Sequence, residues 1–252
     1  MMAGIQDILI ITTPFDSSSF SNLLGDGSQF GINIHYAEQP SPDGLAQAFI
    51  IGEEFIGQDQ VSLILGDNIF YGKGIENILK EAQVSSEGAT IFGYEVDDPS
   101  RYGVVELNID GTILSLEEKP VDPKSNIAIT GLYFYDNQVV EMARSIKPSK
   151  RNELEITDLH SLYNEQDLLN LQLLPSNFTW LDTGTYDSLL EASLFVKDLE
   201  KDLELHKQIK VGCLEEIAFK SGWISSEDLL RRAEFYKKTS YGIYLQGLIK
   251  QL

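Results

Sequence analysis

Two acidic residues stand where a predicted buried strand gives way to a turn. Asp67 follows an apolar run over residues 61–65 in the string L-I-L-G-D-N, and Asp182 stands in W-L-D-T-G-T. Ligands of open α/β sheets bind beyond the carboxyl ends of the strands, and Mg²⁺ prefers a few carboxylates together with substrate phosphates. The pair could therefore hold one Mg²⁺ and the phosphates bound to it. A turn-forming aspartate at 67 and an N-terminal helix cap at 182 explain the same residues.

A compact acid–base cluster ends another predicted strand in the string S-L-E-E-K-P. Glu118 can accept hydrogen bonds from two sugar hydroxyls, and Lys119 can pair with a phosphate. A solvated strand end gives the same string, so it is weak evidence by itself. Tyr102-Gly103 lies at the base of the preceding strand, where a glycine would let a flat ligand lie on the backbone. Hairpin geometry alone explains that glycine better.

A loop with two prolines carries a third group of polar residues. Gln39 and Gly44 stand in the string Q-P-S-P-D-G. An amide side chain on a rigid loop can read a nucleobase edge through its paired donor and acceptor, although alone it is a polar loop residue. The histidines have no zinc-site spacing, and the sequence has neither a serine-centred elbow nor a GxxxxGK[ST] loop.

The elements that must position these residues alternate between strands and helices over the first hundred residues, which predicts a parallel sheet of βαβ units. The middle of the chain adds antiparallel strands, and a helical tail follows residue 205. The predicted strands cover residues 8–11, 33–37, 61–65, 89–96, 102–108, 112–118, 128–135 and 171–175, with a strand end at 179–185. The predicted helices cover residues 15–24, 46–55, 75–83, 137–145, 155–165 and 186–204, with two more after residue 212.

The composition excludes several classes of partner. The chain has 39 acidic and 19 basic residues and a net charge of −20, which repels nucleic acid and anionic membrane surfaces. We therefore expect neither as a partner. Cys213 is the only cysteine, so no internal disulfide can form, and this suits a cytoplasmic protein. No apolar run approaches the length of a membrane span, and the first residues have no signal-peptide pattern.

Seven strings together resemble one enzyme family. They are Q-P-S-P-D-G-L-A-Q-A-F, L-G-D-N-I-F-Y-G, R-Y-G-V-V-E, S-L-E-E-K-P, T-G-L-Y-F-Y-D, E-L-E-I-T-D and W-L-D-T-G-T. Their order and spacing are similar to those of glucose-1-phosphate thymidylyltransferases, from residue 3 to about residue 248. The resemblance implies an α/β fold, with a Rossmann-like, mixed and mostly parallel sheet flanked by helices and an inserted antiparallel sugar-binding region.

The resemblance also implies a reaction and the residues that perform it. The reaction converts dTTP and glucose 1-phosphate to dTDP-glucose and pyrophosphate with Mg²⁺, in deoxysugar biosynthesis of the dTDP-rhamnose type. Asp67 and Asp182 correspond to the Mg²⁺ ligands, and together with Lys119 they would be catalytic. Gln39 and Gly44 correspond to the residues that read thymine. The sugar and phosphate contacts correspond to Tyr102, Gly103, Glu118, Lys119 and Ile129, with Trp180 in the wall behind them.

One departure from the family bears on activity. The family's glycine-rich loop G-G-x-G-T-R-L-x-P and its K-x-L-x-P segment have no counterpart in this sequence, a difference of roughly 40 residues, a little more than one βα unit. Those segments grip the triphosphate, so Lys119 is the best-placed cation that remains. We therefore expect this chain alone to be impaired, less stable and prone to associate.

Domain organisation and two alternatives complete the expectations. Residues 1–205 are predicted to form the nucleotidyltransferase domain, and residues 206–252 a helical region for association and regulation. The family implies a homo-oligomer, commonly a tetramer. A non-catalytic relict that binds a dTDP-sugar remains an alternative. Uridylyl transfer in place of thymidylyl transfer is another, because a pocket discriminates only modestly around one methyl group.

Overall fold

The computed structural model describes residues 1–83, 87–201 and 209–250. The chain divides into two compact units. The central unit is Glu38–Thr183, and the terminal unit joins Met1–Ala37 with Gly184–Leu252. The predicted domain boundary at residue 205 and the predicted helix end at residue 204 lie outside the described residues, so both stay predictions. The predicted site residues all belong to the central unit.

Strands and helices alternate through most of the described residues. The strands are β1 (Asp7–Thr12), β2 (Asn33–Glu38), β3 (Val61–Ile64), β4 (Asn68–Tyr71), β5 (Ala89–Glu95), β6 (Gly103–Leu107), β7 (Ile113–Glu118), β8 (Ile127–Tyr135), β9 (Leu169–Leu173) and β10 (Thr179–Asp182). The helices are α1 (Ser17–Leu24), α2 (Gln47–Ile51), α3 (Glu53–Ile56), α4 (Ile75–Gln83), α5 (Val139–Ser145), α6 (Ile156–Glu165), α7 (Tyr186–Lys201), α8 (Leu214–Lys220), α9 (Ser226–Phe235) and α10 (Ser240–Ile249).

The main sheet of the central unit is built around β8. Its strand order is β7-β6-β8-β5-β9, and β3 also pairs with β8. β3 and β5 both run antiparallel to β8, since their first residues, Val61 and Ala89, each lie opposite Tyr135, the last residue of β8. β9 runs parallel to β5. All but the first residue of β8 are buried, as expected of a strand covered on both faces.

The prediction of a mixed sheet flanked by helices is confirmed, and four of the six strands described in this sheet, β3, β5, β6 and β9, run in one direction. β3, α4 and β5 do form a strand–helix–strand unit in which both strands run in one direction. The antiparallel strand β8 lies beside both of them, so most pairings described in this sheet are antiparallel. The alternation of strands and helices predicts that β3 and β5 run in one direction. It does not predict that a later strand, β8, lies between them.

Helices cover the sheet with one apolar core. Phe49 of α2, Val139 of α5 and Leu159 of α6 pack in one cluster with Ile91 of β5. The helix predicted over residues 46–55 is divided into α2 and α3 at Gly52, a residue type that is unfavourable inside helices. The short strand β4, which sequence analysis missed, pairs with β10.

The terminal unit has its own core. β1 and β2 form a two-stranded sheet, and Phe30, Leu229 and Leu245 belong to one apolar cluster. Two helices were predicted after residue 212, whereas the described residues there form three, because α9 and α10 are separate helices with side-chain caps from Ser225 and Thr239. Among the described residues, none of the helices combines the length and apolar character needed to cross a membrane.

Candidate active site

The backbone segments that carry the two candidate metal ligands meet at the end of a short antiparallel ladder. β4 and β10 pair so that Asp182 lies opposite Asn68, the residue after Asp67. Thr183, the residue after Asp182, donates to the backbone oxygen of Asp67 from its backbone nitrogen at 2.9 Å and from Oγ1 at 2.8 Å. Two distant parts of the chain thereby bring Asp67 and Asp182 to the same end of the ladder.

This carboxylate pair fits Mg²⁺ better than a cation that requires a complete protein cage. Within the described ranges, no group of three or more His, Cys, Asp and Glu side chains is arranged to hold a metal ion. Mg²⁺ keeps several waters and takes one or two carboxylates plus substrate phosphates, whereas a structural zinc ion needs four protein ligands. Asp67 and Asp182 supply the smaller set.

Three strands meet at Gly103. This residue of β6 lies opposite Glu118 of β7 and Ile129 of β8. A Cβ atom at position 103 would lie 3.1 Å from Thr157 Oγ1, 3.4 Å from Glu118 Oε2 and 3.4 Å from Ile129 Cδ1. Gly103 thus lies against a hydroxyl, a carboxylate and a methyl group, a combination of polar and apolar groups like that which a sugar ring presents.

The backbone at Lys119 is held in an unusual conformation directly after Glu118. Its φ is +45°, in the left-handed region that few residues other than glycine adopt. The Lys119 amide donates to the Tyr102 carbonyl at 2.9 Å, and its Nζ lies 4.0 Å from Glu118 Oε1. Backbone strain of this kind concentrates at functional sites.

Aromatic side chains cluster around Trp180 of β10. Trp180 is 7% exposed, and its ring centroid lies 4.9 Å from that of Tyr102 and 6.0 Å from that of Tyr94. Burial, with a further contribution from the negative charge of Asp182, raises the pKa of Tyr102 above its usual value. The wall predicted at Trp180 therefore includes both tyrosines.

Sequence analysis missed two cations and a hydroxyl at this site. Arg101 Nη2 lies 3.9 Å from Asp182 Oδ2, and Arg151 Nη1 lies 3.8 Å from Glu118 Oε1. Lys119 is therefore one of three cations near the predicted site residues, and its role as the best-placed one stays a prediction. Thr157 donates to Glu118 Oε2. Arg101 and Thr157 lie inside strings that carry the resemblance, R-Y-G-V-V-E and E-L-E-I-T-D, but their residue types alone gave no signal.

Gln39 and Gly44 form a group of their own on the loop before α2. Gln39 Nε2 donates to the Gly44 carbonyl at 3.1 Å and to Gln47 Oε1 at 2.7 Å. Gln47 in turn donates to Asp43 Oδ2 at 3.0 Å. Hydrogen bonds from Ser41 and Gln47 lower the pKa of Asp43, so this carboxylate stays charged and anchors the network.

The comparisons with known proteins agree on one family. Residues 1–199 match the sequence profile of the nucleotidyl transferase family. The glucose-1-phosphate thymidylyltransferase of Neisseria gonorrhoeae is 56% identical over 249 residues, which cover 99% of this chain and 85% of that protein. Its counterpart from Mycobacterium tuberculosis is 53% identical over 251 residues, covering 100% of this chain and 85% of that protein. This match along the whole chain gives no support to the expectation of impaired activity.

Solved structures share the fold. A Bacillus anthracis protein assigned as a glucose-1-phosphate thymidylyltransferase, crystallised with sucrose, superposes with a TM-score of 0.72 at 36% identity. The superposition covers 84% of this chain and 80% of that protein. A UDP-glucose pyrophosphorylase in complex with UDP-glucose has a TM-score of 0.67 at 24% identity, which supports the fold alone.

Proposed function

Since this chain belongs to the nucleotidyl transferase family, among the glucose-1-phosphate thymidylyltransferases, we propose that it converts dTTP and glucose 1-phosphate to dTDP-glucose and pyrophosphate. Enzymes of this family use nucleotide and sugar phosphate substrates. The observation that supports the proposal is the β4–β10 ladder, because it brings the backbone of Asp67 and of Asp182 together within strings that resemble that family.

Such a reaction depends mainly on positioning and charge neutralisation. An oxygen of the sugar phosphate attacks the α-phosphorus of dTTP in line, and pyrophosphate leaves on the opposite side. Mg²⁺, held by Asp67 and Asp182, would neutralise charge on the phosphates. Lys119 and the two arginines beside the carboxylates, Arg101 and Arg151, add positive charge in a chain whose net charge is −20.

The surface around Gly103 is proposed as the sugar site. Glu118 accepts hydrogen bonds from glucose hydroxyls, and the hydroxyl of Thr157 holds it in place. Ile129 contacts the apolar face of the ring, and Tyr102 supports this side of the site. Trp180 excludes water from behind the sugar phosphate.

The Gln39 loop is proposed to read the thymine base. The hydrogen bonds of Gln39 to Gly44 and Gln47 hold its amide in one plane before the nucleotide arrives. A pre-ordered amide loses less conformational entropy on binding than a mobile one. The buried, single Cys213 supports a cytoplasmic location, and a homo-oligomer remains our proposal for the assembly.

Pyrophosphate release by the purified protein with dTTP, glucose 1-phosphate and Mg²⁺ tests the function. We expect Asp67→Asn and Asp182→Asn each to lower kcat/KM by about 100-fold or more, because a ligand of the charge-neutralising cation is lost. Asp59→Asn is the matched control, because Asp59 lies exposed before the opposite end of β3 and should tolerate the same change.

The substrates offered distinguish the alternatives. Turnover with UTP that equals turnover with dTTP would replace thymidylyl transfer by uridylyl transfer. Binding of dTDP-glucose without any turnover would instead indicate a non-catalytic protein. An Asp182→Asn variant as active as the Asp59→Asn control would remove the carboxylate pair from the mechanism.

A further inference from the structure

One amide group ties together three parts of the site. Asn68 Nδ2 donates to Asp67 Oδ1 at 2.8 Å. Asn68 Oδ1 accepts from Trp180 Nε1 at 2.7 Å and from the backbone nitrogen of Gly131 at 3.0 Å. The amide therefore connects a candidate metal ligand, the aromatic wall and the central strand of the main sheet.

The orientation of this amide is fixed by chemistry. An indole N–H and a backbone N–H can only donate, so the atom of Asn68 that faces Trp180 and Gly131 must be the oxygen. The flipped amide would set two donors against its NH₂ group. The Nδ2 group is consequently left for Asp67, whose carboxylate can only accept.

The approach of the amide to β8 depends on a glycine. A Cβ atom at position 131 would lie 2.6 Å from Asn68 Oδ1 and 2.7 Å from the Leu65 side chain. The Gly131 carbonyl also accepts from the Leu65 amide at 2.9 Å, so the strand before Asp67 is attached at the same point. Any larger residue at position 131 would push the amide away.

We propose that Asn68 is a positioning residue, which orients the Asp67 carboxylate for the divalent cation. The proposal rests on the proposed function, in which Asp67 is a cation ligand. One oxygen of Asp67 is engaged by Asn68, so rotation of the carboxylate is restricted. Loss of such a supporting hydrogen bond commonly weakens metal binding by about 10–100-fold.

Mn²⁺ binding to the full chain, measured by electron paramagnetic resonance without substrates, tests the proposal. We expect Asn68→Ala to raise the Mn²⁺ dissociation constant by about tenfold or more. Gly131→Ala should do the same, because its new methyl group displaces the amide while every polar side chain stays in place. Trp180→Phe should keep the dissociation constant within about twofold, since the hydrogen bond from Asn68 to Asp67 remains.

The variants separate a positioning role from a structural one. Circular dichroism identifies any variant that fails to fold. If Asn68→Ala fails to fold, the Mn²⁺ dissociation constant of Gly131→Ala tests the proposal instead. Equal losses of Mn²⁺ binding in Asn68→Ala and Trp180→Phe would overturn the proposal. Such a result would mean that Mn²⁺ binding does not depend on the hydrogen bond from Asn68 to Asp67, which only Asn68→Ala removes. Unchanged binding in folded Asn68→Ala or Gly131→Ala would also overturn it.

An Asp67→Asn variant separates this proposal from the proposed function. Binding abolished in Asp67→Asn but unchanged in the folded positioning variants overturns the role of Asn68 alone. Unchanged binding in Asp67→Asn, or no binding by the unmodified chain, overturns the metal site and the positioning role together.

Discussion

At the residue scale, Glu118 is held from two sides before any ligand binds. Thr157 donates to its Oε2, and Arg151 lies 3.8 Å from its Oε1. A carboxylate that is already oriented and partly neutralised can accept sugar hydroxyls with little further ordering. Its neighbour Glu117 is exposed, because successive side chains of β7 point to opposite faces of the strand.

This contrast gives a matched pair of substitutions. Glu118→Gln is expected to raise the KM for glucose 1-phosphate by about tenfold, since a hydrogen bond to a charged acceptor contributes roughly 1.5–3 kcal/mol. The KM for dTTP should change little. Glu117→Gln on the other face should behave as the unmodified protein in the same steady-state assay. An equal KM increase in both variants would contradict a sugar contact at Glu118.

Residue type and local spacing explain which site residues the sequence could predict. Asp67 and Glu118 follow apolar strands directly, so their positions could be interpreted one motif at a time. Asn68 is an ordinary turn residue until it meets Gly131, 63 positions later, and Trp180, 112 positions later. Its role depends on pairings between distant strands, which no local pattern contains.

At the element scale, α6 buries a histidine against the central strand. His160 is fully buried, and its Nε2 lies 2.6 Å from the hydroxyl of Tyr135 on β8. Burial lowers the pKa of His160 to about 3 from an ordinary value of 6.5. The folded protein therefore keeps a neutral imidazole over a pH range in which the unfolded chain takes up a proton.

The sign of the resulting pH dependence follows from that difference. Between pH 6.5 and about 3 the unfolded state binds the extra proton, so His160 makes stability fall as pH falls, by at most about 1.4 kcal/mol per pH unit. Urea unfolding at pH 6.5 and pH 5 should show a smaller pH effect in His160→Gln. The exposed His35 supplies the control, and a pH effect reduced equally by His35→Gln would contradict the assignment.

The loop before α2 depends on a close backbone approach. Gly44 has a φ of +107°, and a Cβ atom there would lie 2.3 Å from the Leu154 carbonyl oxygen. Gly111, in the β6–β7 hairpin, has a φ of +86°, but a Cβ atom at this position would have no other atom within 4 Å. The two glycines share unusual dihedrals and differ in the space around them.

Alanine substitutions at these two glycines should therefore differ in cost. Gly111→Ala is expected to lower the free energy of unfolding by about 1–2 kcal/mol, the cost of left-handed backbone. Gly44→Ala should cost more than about 3 kcal/mol, because backbone atoms must also move. Urea denaturation measures both costs. Equal costs would show that the backbone at Leu154 moves away from a new Cβ atom with little loss of stability.

The elements themselves were largely predictable, whereas their pairing was not. The helix predicted over residues 75–83 is α4, and the strand predicted over 128–135 is β8 within one residue. Apolar periodicity and turn residues are local, so they indicate such elements well. The place of β8 between β3 and β5 depends on contacts across dozens of residues, and it makes these neighbouring strands pair in an antiparallel manner.

At the scale of the whole molecule, charge is the dominant feature. The chain carries 39 acidic and 19 basic residues. Net charge far from zero destabilises a compact state through self-repulsion, and salt screens that repulsion over a Debye length of about 8 Å at physiological ionic strength.

We therefore expect the melting temperature to rise by a few degrees, about 2–5 °C, between 10 mM and 150 mM NaCl. Differential scanning calorimetry measures the change, and KCl at equal ionic strength tests for an effect of one particular ion. A melting temperature that falls with salt would mean that attractive pairs, such as the partly buried pair of Glu215 and Arg232 with its 3.0 Å contact, outweigh the repulsion.

The central position of β8 has a consequence for synthesis. β3 and β5 meet their shared partner only after residue 135 has been translated, although β3 itself ends at Ile64. A nascent chain that has been translated as far as residue 126 therefore contains two apolar strands, β3 and β5, whose edges are not yet paired with β8. Ribosomes that pause within residues 96–126 would prolong the exposure of those edges, and chaperones that bind extended apolar segments would act in this interval.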